Sequence, residues 1–180
     1  SIGIPNIKMT SNGFLLDRKA QKLKDAGLNS INISLDALDP IVFFNMTRRN
    51  KLANTLNGIE AAQAAGLKLK INCVVMKEVN ESEIVPLFEY AKAHNITIRY
   101  LELMKMGHLY GSHNDFFFSE EAILWTIAQY YPLHKLARTM SSTANYWQTE
   151  DGYRFGIIAN ESSPFCHDCN RLRLDSFGNI

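Results

Sequence analysis

A parallel α/β fold, curved into part of a barrel and followed by a small second lobe, is what this sequence predicts. Three observations carry the prediction. Short β-like runs at 7–10, 30–35, 67–76 and 97–104 alternate with helical spacing, each helical stretch ends on a Gly or Asn just before the next run, and each run has one polar face. A helix–stop–strand unit used repeatedly reads as βαβαβαβα with parallel strands.

The elements follow in order. After the first run, Leu16, Ala20 and Leu23 recur at i, i+4, i+7, the spacing of one helix face. Ile84, Leu87, Phe88 and Ala91 repeat that face later, as do Ile123, Ile127 and Tyr130. Asp17, Ser82 and Ser119 stand where N-caps are expected. Gly27, Gly66 and Asn95 end helices, because they tolerate the left-handed C′ position.

Alternation within the runs sets Ile7, Met9, Ile31, Ile33, Leu35, Leu69, Ile71, Cys73, Leu101 and Leu103 on an apolar face. Lys8, Thr10, Asn32, Ser34, Asp36, Lys70, Asn72, Tyr100, Glu102 and Met104 fall on the other. Parallel strands covered on both faces are apolar throughout. One polar face therefore predicts a barrel or curved sheet with helices outside and a polar, ligand-holding interior. An open sheet with one wet face is the alternative. Beyond residue 135 the character changes: 146–148 and 153–159 are aromatic and β-branched runs joined by Glu150-Asp151-Gly152, a hairpin signature. The expected division is 1–134 for the barrel part and 135–180 for the lobe.

Composition bounds the function. The 180 residues, 46% hydrophobic and 21% charged, are enough for a core without disulfide staples. Nineteen basic against eighteen acidic residues exclude a bulk-basic nucleic-acid binder. No apolar run is long enough to span a membrane, and the first residues lack a signal peptide's layout, so a cytoplasmic protein is expected. Three cysteines, Cys73, Cys166 and Cys169, do not make a secreted disulfide framework.

Cys166-His167-Asp168-Cys169 can aim two thiolates at one metal or form a redox dithiol. Its position after a hairpin, ahead of an extended Arg-bearing stretch, favours metal, whereas Cys73 on an apolar strand face reads as core. Arg171 and Arg173, two apart, project to one side of an extended segment, as an anion clamp or as plain surface charges. Ser11-Asn12-Gly13 and Ser34-Leu35-Asp36 end strands, where α/β folds place ligands, although a turn and a helix cap explain them too. A Lys70 inside a barrel needs an anionic partner; Met104 alone would be core filler.

The stretches Lys8-Met9-Thr10-Ser11-Asn12-Gly13, Asn32-Ile33-Ser34-Leu35-Asp36-Ala37, Lys70-Ile71-Asn72-Cys73-Val74-Val75, Arg99-Tyr100-Leu101-Glu102-Leu103-Met104 and the segment from Pro164 to Leu174 occur together in order. In this the chain resembles, over essentially its whole length, the molybdenum cofactor biosynthesis protein A family of radical S-adenosylmethionine (SAM) enzymes. The resemblance implies an incomplete (βα)6 TIM-like radical SAM barrel with a small C-terminal iron–sulfur lobe. It implies GTP 3',8-cyclase activity: a reduced cluster cleaves SAM, the resulting radical takes the 3' hydrogen of GTP, and the sugar carbon attacks C8 of guanine. By similarity Ser34 and Met104 contact SAM, and Thr10, Lys70 and Arg171, Leu172 and Arg173 contact GTP. Cys166 and Cys169 ligate a C-terminal [4Fe-4S] cluster. The family carries two such clusters, acts as a homodimer, and hands its product to the cyclic pyranopterin monophosphate synthase.

Departures from the family pattern are specific. The N-terminal C-x3-C-x2-C motif is absent from the 180 residues, and the third cysteine of the C-terminal C-x2-C-x13-C pattern would lie beyond Ile180. Lys105-Met106-Gly107-His108 stands where the family often reads Asp-Val-Gly-Asn. An interior piece of the enzyme is therefore expected, with no turnover of its own and no catalytic residue assigned within it. Three other readings compete: a peptide-modifying radical SAM enzyme, a binding domain with a structural zinc ribbon, and an aldolase-like barrel using Lys70 as a Schiff-base nucleophile.

Overall fold

The structure, a computed structural model, describes residues 3–105, 111–140, 142–164, 172 and 174–179. Strands β1 (Lys8–Ser11), β2 (Ser30–Ser34), β3 (Lys68–Val75) and β4 (Thr97–Glu102) pair in parallel, in sequence order. Helices α1 (Leu16–Asp25), α2 (Pro40–Thr47), α3 (Leu52–Ala64) and α4 (Ile84–Ala93) fill the crossovers. After α5 (His113–Phe116) and α6 (Glu120–Ala128) come β5 (Leu133–Lys135), β6 (Asn145–Thr149) and β7 (Arg154–Ile158). The hairpin does not stand apart. It joins the same seven-stranded sheet, with β7 parallel to β4 and the order β1-β2-β3-β4-β7-β6-β5. The change of character near residue 135 therefore marks a change of strand direction inside one sheet.

Strands added one after another at the same edge by right-handed crossovers put every crossover helix on one face. On that face Ile31, Ile33, Ile71, Cys73, Ile98 and Ile157 pack against Ile59, Leu87, Phe88, Ile123 and Ile127. Cys73 is fully buried there, as its strand position predicts. Phe88 gathers Tyr131, Tyr153 and Phe155 around it, with ring centroids 5.0, 5.1 and 5.2 Å away, which ties α4 to the hairpin.

The helix stops act as expected: Gly27, Gly66 and Asn95 all take positive φ. Ser119 caps α6 by accepting from the Ala122 N–H at 3.2 Å. Two expected caps are displaced. Asp17 sits inside the first turn of α1, because Ser11 and Asn12 close the preceding turn through the Gly13 and Phe14 N–H groups and start the helix earlier. Ser82 lies in a 3₁₀ turn, and α4 starts after Glu83, whose carboxylate instead accepts from the N–H groups of Leu38 and Asp39. Asp39-Pro40 provides the start of α2, the Asp39 carboxylate accepting from Ile41 and Val42 at 2.8 and 2.9 Å.

On β4 the alternation is the reverse of the sequence reading. Tyr100 and Glu102, 0% and 1% exposed, face the helices, and Arg99 and Leu101 face the other way. The polar atoms are what misled. Tyr100 donates its hydroxyl to the Ile84 carbonyl at 2.7 Å. Glu102 accepts from the N–H groups of Glu120 (2.8 Å), Glu161 and Ser162 (both 3.0 Å) and from the Ser162 hydroxyl. A buried polar side chain with all its partners behaves as core.

Gly58 on α3 lets that helix lie against the loop between β1 and α1: a Cβ there would collide with the Gly13 carbonyl oxygen and meet Leu16 Cβ at 3.1 Å. Alanine ordinarily gains about 1 kcal/mol over glycine inside a helix. Here the overpacking wins, and Gly58→Ala is expected to lower the unfolding free energy by about 1–3 kcal/mol in urea titrations. An unchanged or raised stability would mean that the Asn12–Phe14 loop yields freely.

Candidate functional site

The face turned away from the helices carries the candidate site. Strand register lays two rows across it. Thr10, Asn32, Lys70 and Thr97 are cross-strand neighbours in one, and Ser34, Asn72, Arg99, Gly156 and Tyr146 in the next. Three of the sequence-nominated residues, Thr10, Ser34 and Lys70, therefore share one face by register. Met104 does not belong to a row. It lies past the end of β4 and is 40% exposed, so strand alternation does not fix where it points. Leu172 is exposed. Cys166, Cys169, Arg171, Arg173 and most of the 105–108 stretch lie outside the described residues.

Lys70 Nζ donates to the Tyr146 hydroxyl at 3.0 Å. The two residues stand on β3 and β6, three strand spacings apart, or roughly 14 Å on a flat sheet whose side chains rise perpendicular to it. Tyr146 leaning across the sheet and the long Lys70 side chain close that gap over a curved face. The concavity holds a hollow of about 240 Å³ lined by Lys8, Ser30, Asn32, Lys68, Leu69, Lys70 and Arg99. Among the described residues four cations and no carboxylate border it. Arg99 Nε donates to Asn72 Oδ1 at 2.9 Å, and Asn32 Nδ2 to Thr10 Oγ1 at 3.4 Å, so the amides hold the row in place. Burial pushes the Arg99 guanidinium below its ordinary value, while its contact with Tyr146 pulls it back up.

A second pocket opens at the C-terminal ends of β1 and β2. It is lined by Asn12, Phe14, Ser34, Asp36, Phe43, Thr47, Arg49, Lys51 and Thr55. The loop carrying Asn12 is held by Thr55, whose hydroxyl donates to the Asn12 carbonyl at 3.1 Å. Lys51 Nζ lies 5.6 Å from the Phe14 ring centroid. Asp36 ties the wall to β3: its Oδ1 accepts from the Val74 N–H at 2.8 Å, and buried Asn80 donates to both the Asp36 and Val74 carbonyls. One acid, two bases and two aromatic rings make a lining for an amphipathic molecule that carries charges of both signs. Among the described residues no group of three or more His, Cys, Asp or Glu could hold a metal ion.

Sequence reasoning missed Arg99 and Tyr146. Arg99 is excluded once β4 is read in the wrong parity; register places it directly beside Asn72. Tyr146 is visible only in three dimensions, since it reaches the site from the last hairpin.

Burial pushes the Asp36 carboxyl up from 3.8 to about 6, against the Val74 N–H bond that favours the charged form. A carboxyl raised in the fold contributes stability that is complete below its unfolded value and is lost as pH rises through about 6. Relative to Asp36→Asn, the wild-type protein is thus expected to lose at most about 3 kcal/mol of unfolding free energy between about pH 4 and pH 7. Parallel stability profiles for the two proteins would contradict this.

Comparison with known proteins agrees with the architecture. The family model for the Radical SAM superfamily matches residues 1–91, and the one for Molybdenum Cofactor Synthesis C matches 96–180. The chain is 44% identical over 172 residues to a GTP 3',8-cyclase of Helicobacter pylori (strain HPAG1), covering 96% of this chain and 53% of the relative. It is 40% identical over 174 residues to a GTP 3',8-cyclase of Aliarcobacter butzleri (strain RM4018), with the same coverage. The chain thus spans about half the length of the curated relatives it matches. Among solved structures, a radical SAM methyltransferase from Sphaerobacter thermophilus superposes with a TM-score of 0.51 at 14% identity, covering 68% of this chain and 36% of that one, and shares the fold. With a family match over half its length, the chain belongs to the radical SAM superfamily.

Proposed function

We propose that the chain forms the substrate-holding part of a radical SAM GTP 3',8-cyclase, which opens molybdenum cofactor biosynthesis by converting GTP to 3',8-cyclo-7,8-dihydro-GTP. The observation that carries the reading is the hollow bordered by Lys8, Lys68, Lys70 and Arg99 without a single carboxylate. Lys70 and Arg99 are partly buried, where a cation favours an anionic partner, and a triphosphate supplies several negative oxygens. Thr10 and Asn32 flank it with hydroxyl and amide donors for the sugar and phosphate edges.

The pocket beside Ser34 suits SAM: Asp36 would answer its cationic groups, and Arg49 and Lys51 its carboxylate. Met104 is assigned to the same ligand. Arg171, Leu172 and Arg173 complete the triphosphate contacts, and Cys166 and Cys169 ligate one [4Fe-4S] cluster of the two that the enzyme uses. When bound, SAM and the reduced cluster supply the one-electron chemistry. The chain's own residues neutralise the triphosphate, orient the sugar along the two rows and keep solvent from the concave face. A homodimer, handover to the cyclic pyranopterin monophosphate synthase and a cytoplasmic setting belong to the same reading. Nucleic acid and membrane partners do not; among the described residues no helix is long and apolar enough to cross a membrane.

The test is GTP binding by the anaerobically reconstituted full-length enzyme. Lys70→Ala is expected to weaken GTP by roughly a hundredfold and leave SAM affinity unchanged. Equal affinity of the wild-type enzyme for GTP and guanosine, or tightly bound zinc in place of iron, would refute the assignment.

A further inference from the structure

Tyr146 is the one aromatic side chain in the two rows of the concave face. Lys70 Nζ donates to its oxygen at 3.0 Å and stands 5.4 Å from its ring centroid. Arg154 Cζ approaches the same ring to 5.9 Å. Arg99 and Tyr146 meet over Gly156, and the phenol acts on the Arg99 guanidinium. Lysine and arginine only donate hydrogen bonds. Among the described residues, then, the phenol oxygen has donors around it and its own proton has no acceptor.

The placement is built into the backbone. Tyr146 on β6 lies over Gly156 on β7, where a Cβ would meet Tyr146 Cε1 at 3.2 Å, Arg99 Cγ at 3.3 Å and Ala144 Cβ at 3.3 Å. The absent side chain at Gly156 is what lets the ring lie across the sheet between Arg99 and Lys70.

We propose that Tyr146 is a binding and positioning residue for polyphosphate: its oxygen holds Lys70 and its hydroxyl proton is given to a phosphate oxygen of the ligand. The inference rests on reading this face as a triphosphate site. A donor already oriented by its neighbours costs the ligand little reorganisation, and hydrogen bonds to charged acceptors are the stronger ones. Tyr146 also extends the site across the sheet, so that the last hairpin and the parallel strands grip the same ligand.

Tyr146→Phe in the full-length enzyme keeps the ring over Gly156 and removes only the hydroxyl. Calorimetric titration with inorganic tripolyphosphate and with GTP should show about tenfold weaker binding of both. Guanosine and SAM affinities and the thermal midpoint should be unchanged. Gly156→Ala, which displaces the ring while retaining every donor, should weaken tripolyphosphate to a similar degree. Wild-type affinity of Tyr146→Phe for tripolyphosphate, or tighter binding because the phenol competes for Lys70, would overturn the proposal. So would a parallel loss of guanosine binding and thermal stability, which would make the role structural. If the wild-type enzyme itself shows no preference for GTP over guanosine, the triphosphate reading fails first and takes this one with it.

Discussion

Handedness of the crossovers is the constraint on which the rest of this molecule depends. Four parallel strands laid down in order, each joined to the next by a right-handed crossover, leave the helices no choice of side. One face of the sheet becomes the core and the other stays bare. Curvature then turns that face into a container, across which Lys70 and Tyr146 meet. Among the described residues no second helical layer covers the polar residues of the two rows.

Charge is sorted by the same division. The carboxylates of Glu83 and Glu102 are buried on the helical side or at strand ends, where backbone N–H groups saturate them. Asp36 is similarly tied to Val74. Lys8, Lys68, Lys70 and Arg99 collect on the opposite side with no acid among them. A chain almost neutral in sum therefore presents a strongly positive concavity, and an anion entering it meets donors that have not been neutralised internally.

Much of the scaffold was legible in the sequence because local physics decides it. Left-handed stops at Gly27, Gly66 and Asn95, the Ser119 cap, the Asp-Gly hairpin and the alternation of β2 and β3 need no distant partner. Legibility failed where a tertiary partner changes a residue's effective polarity. Tyr100 and Glu102 are polar by type and core by environment, since the Ile84 carbonyl and the N–H groups of residues 120, 161 and 162 complete them. That inversion hid Arg99. Met104, Cys166, Cys169, Arg171, Leu172 and Arg173 were nominated by motif alone, which says what a residue binds in relatives and not where a strand aims it.

The pairing of β4 with β7 has a consequence for the order of assembly. The β6–β7 hairpin closes through a short turn, and β1 to β4 grow by successive neighbouring units. Joining Arg99 to Gly156 demands a far longer closure, with α5, α6 and two strands inside the loop. Long-range parallel pairing is entropically slow, so the two halves form before they meet. Until they do, β4 and β7 each expose an unpaired edge, and the chain is most vulnerable to self-association in that interval. The cationic hollow, which needs Tyr146 brought across to Lys70, is therefore among the last features of the nascent protein to exist.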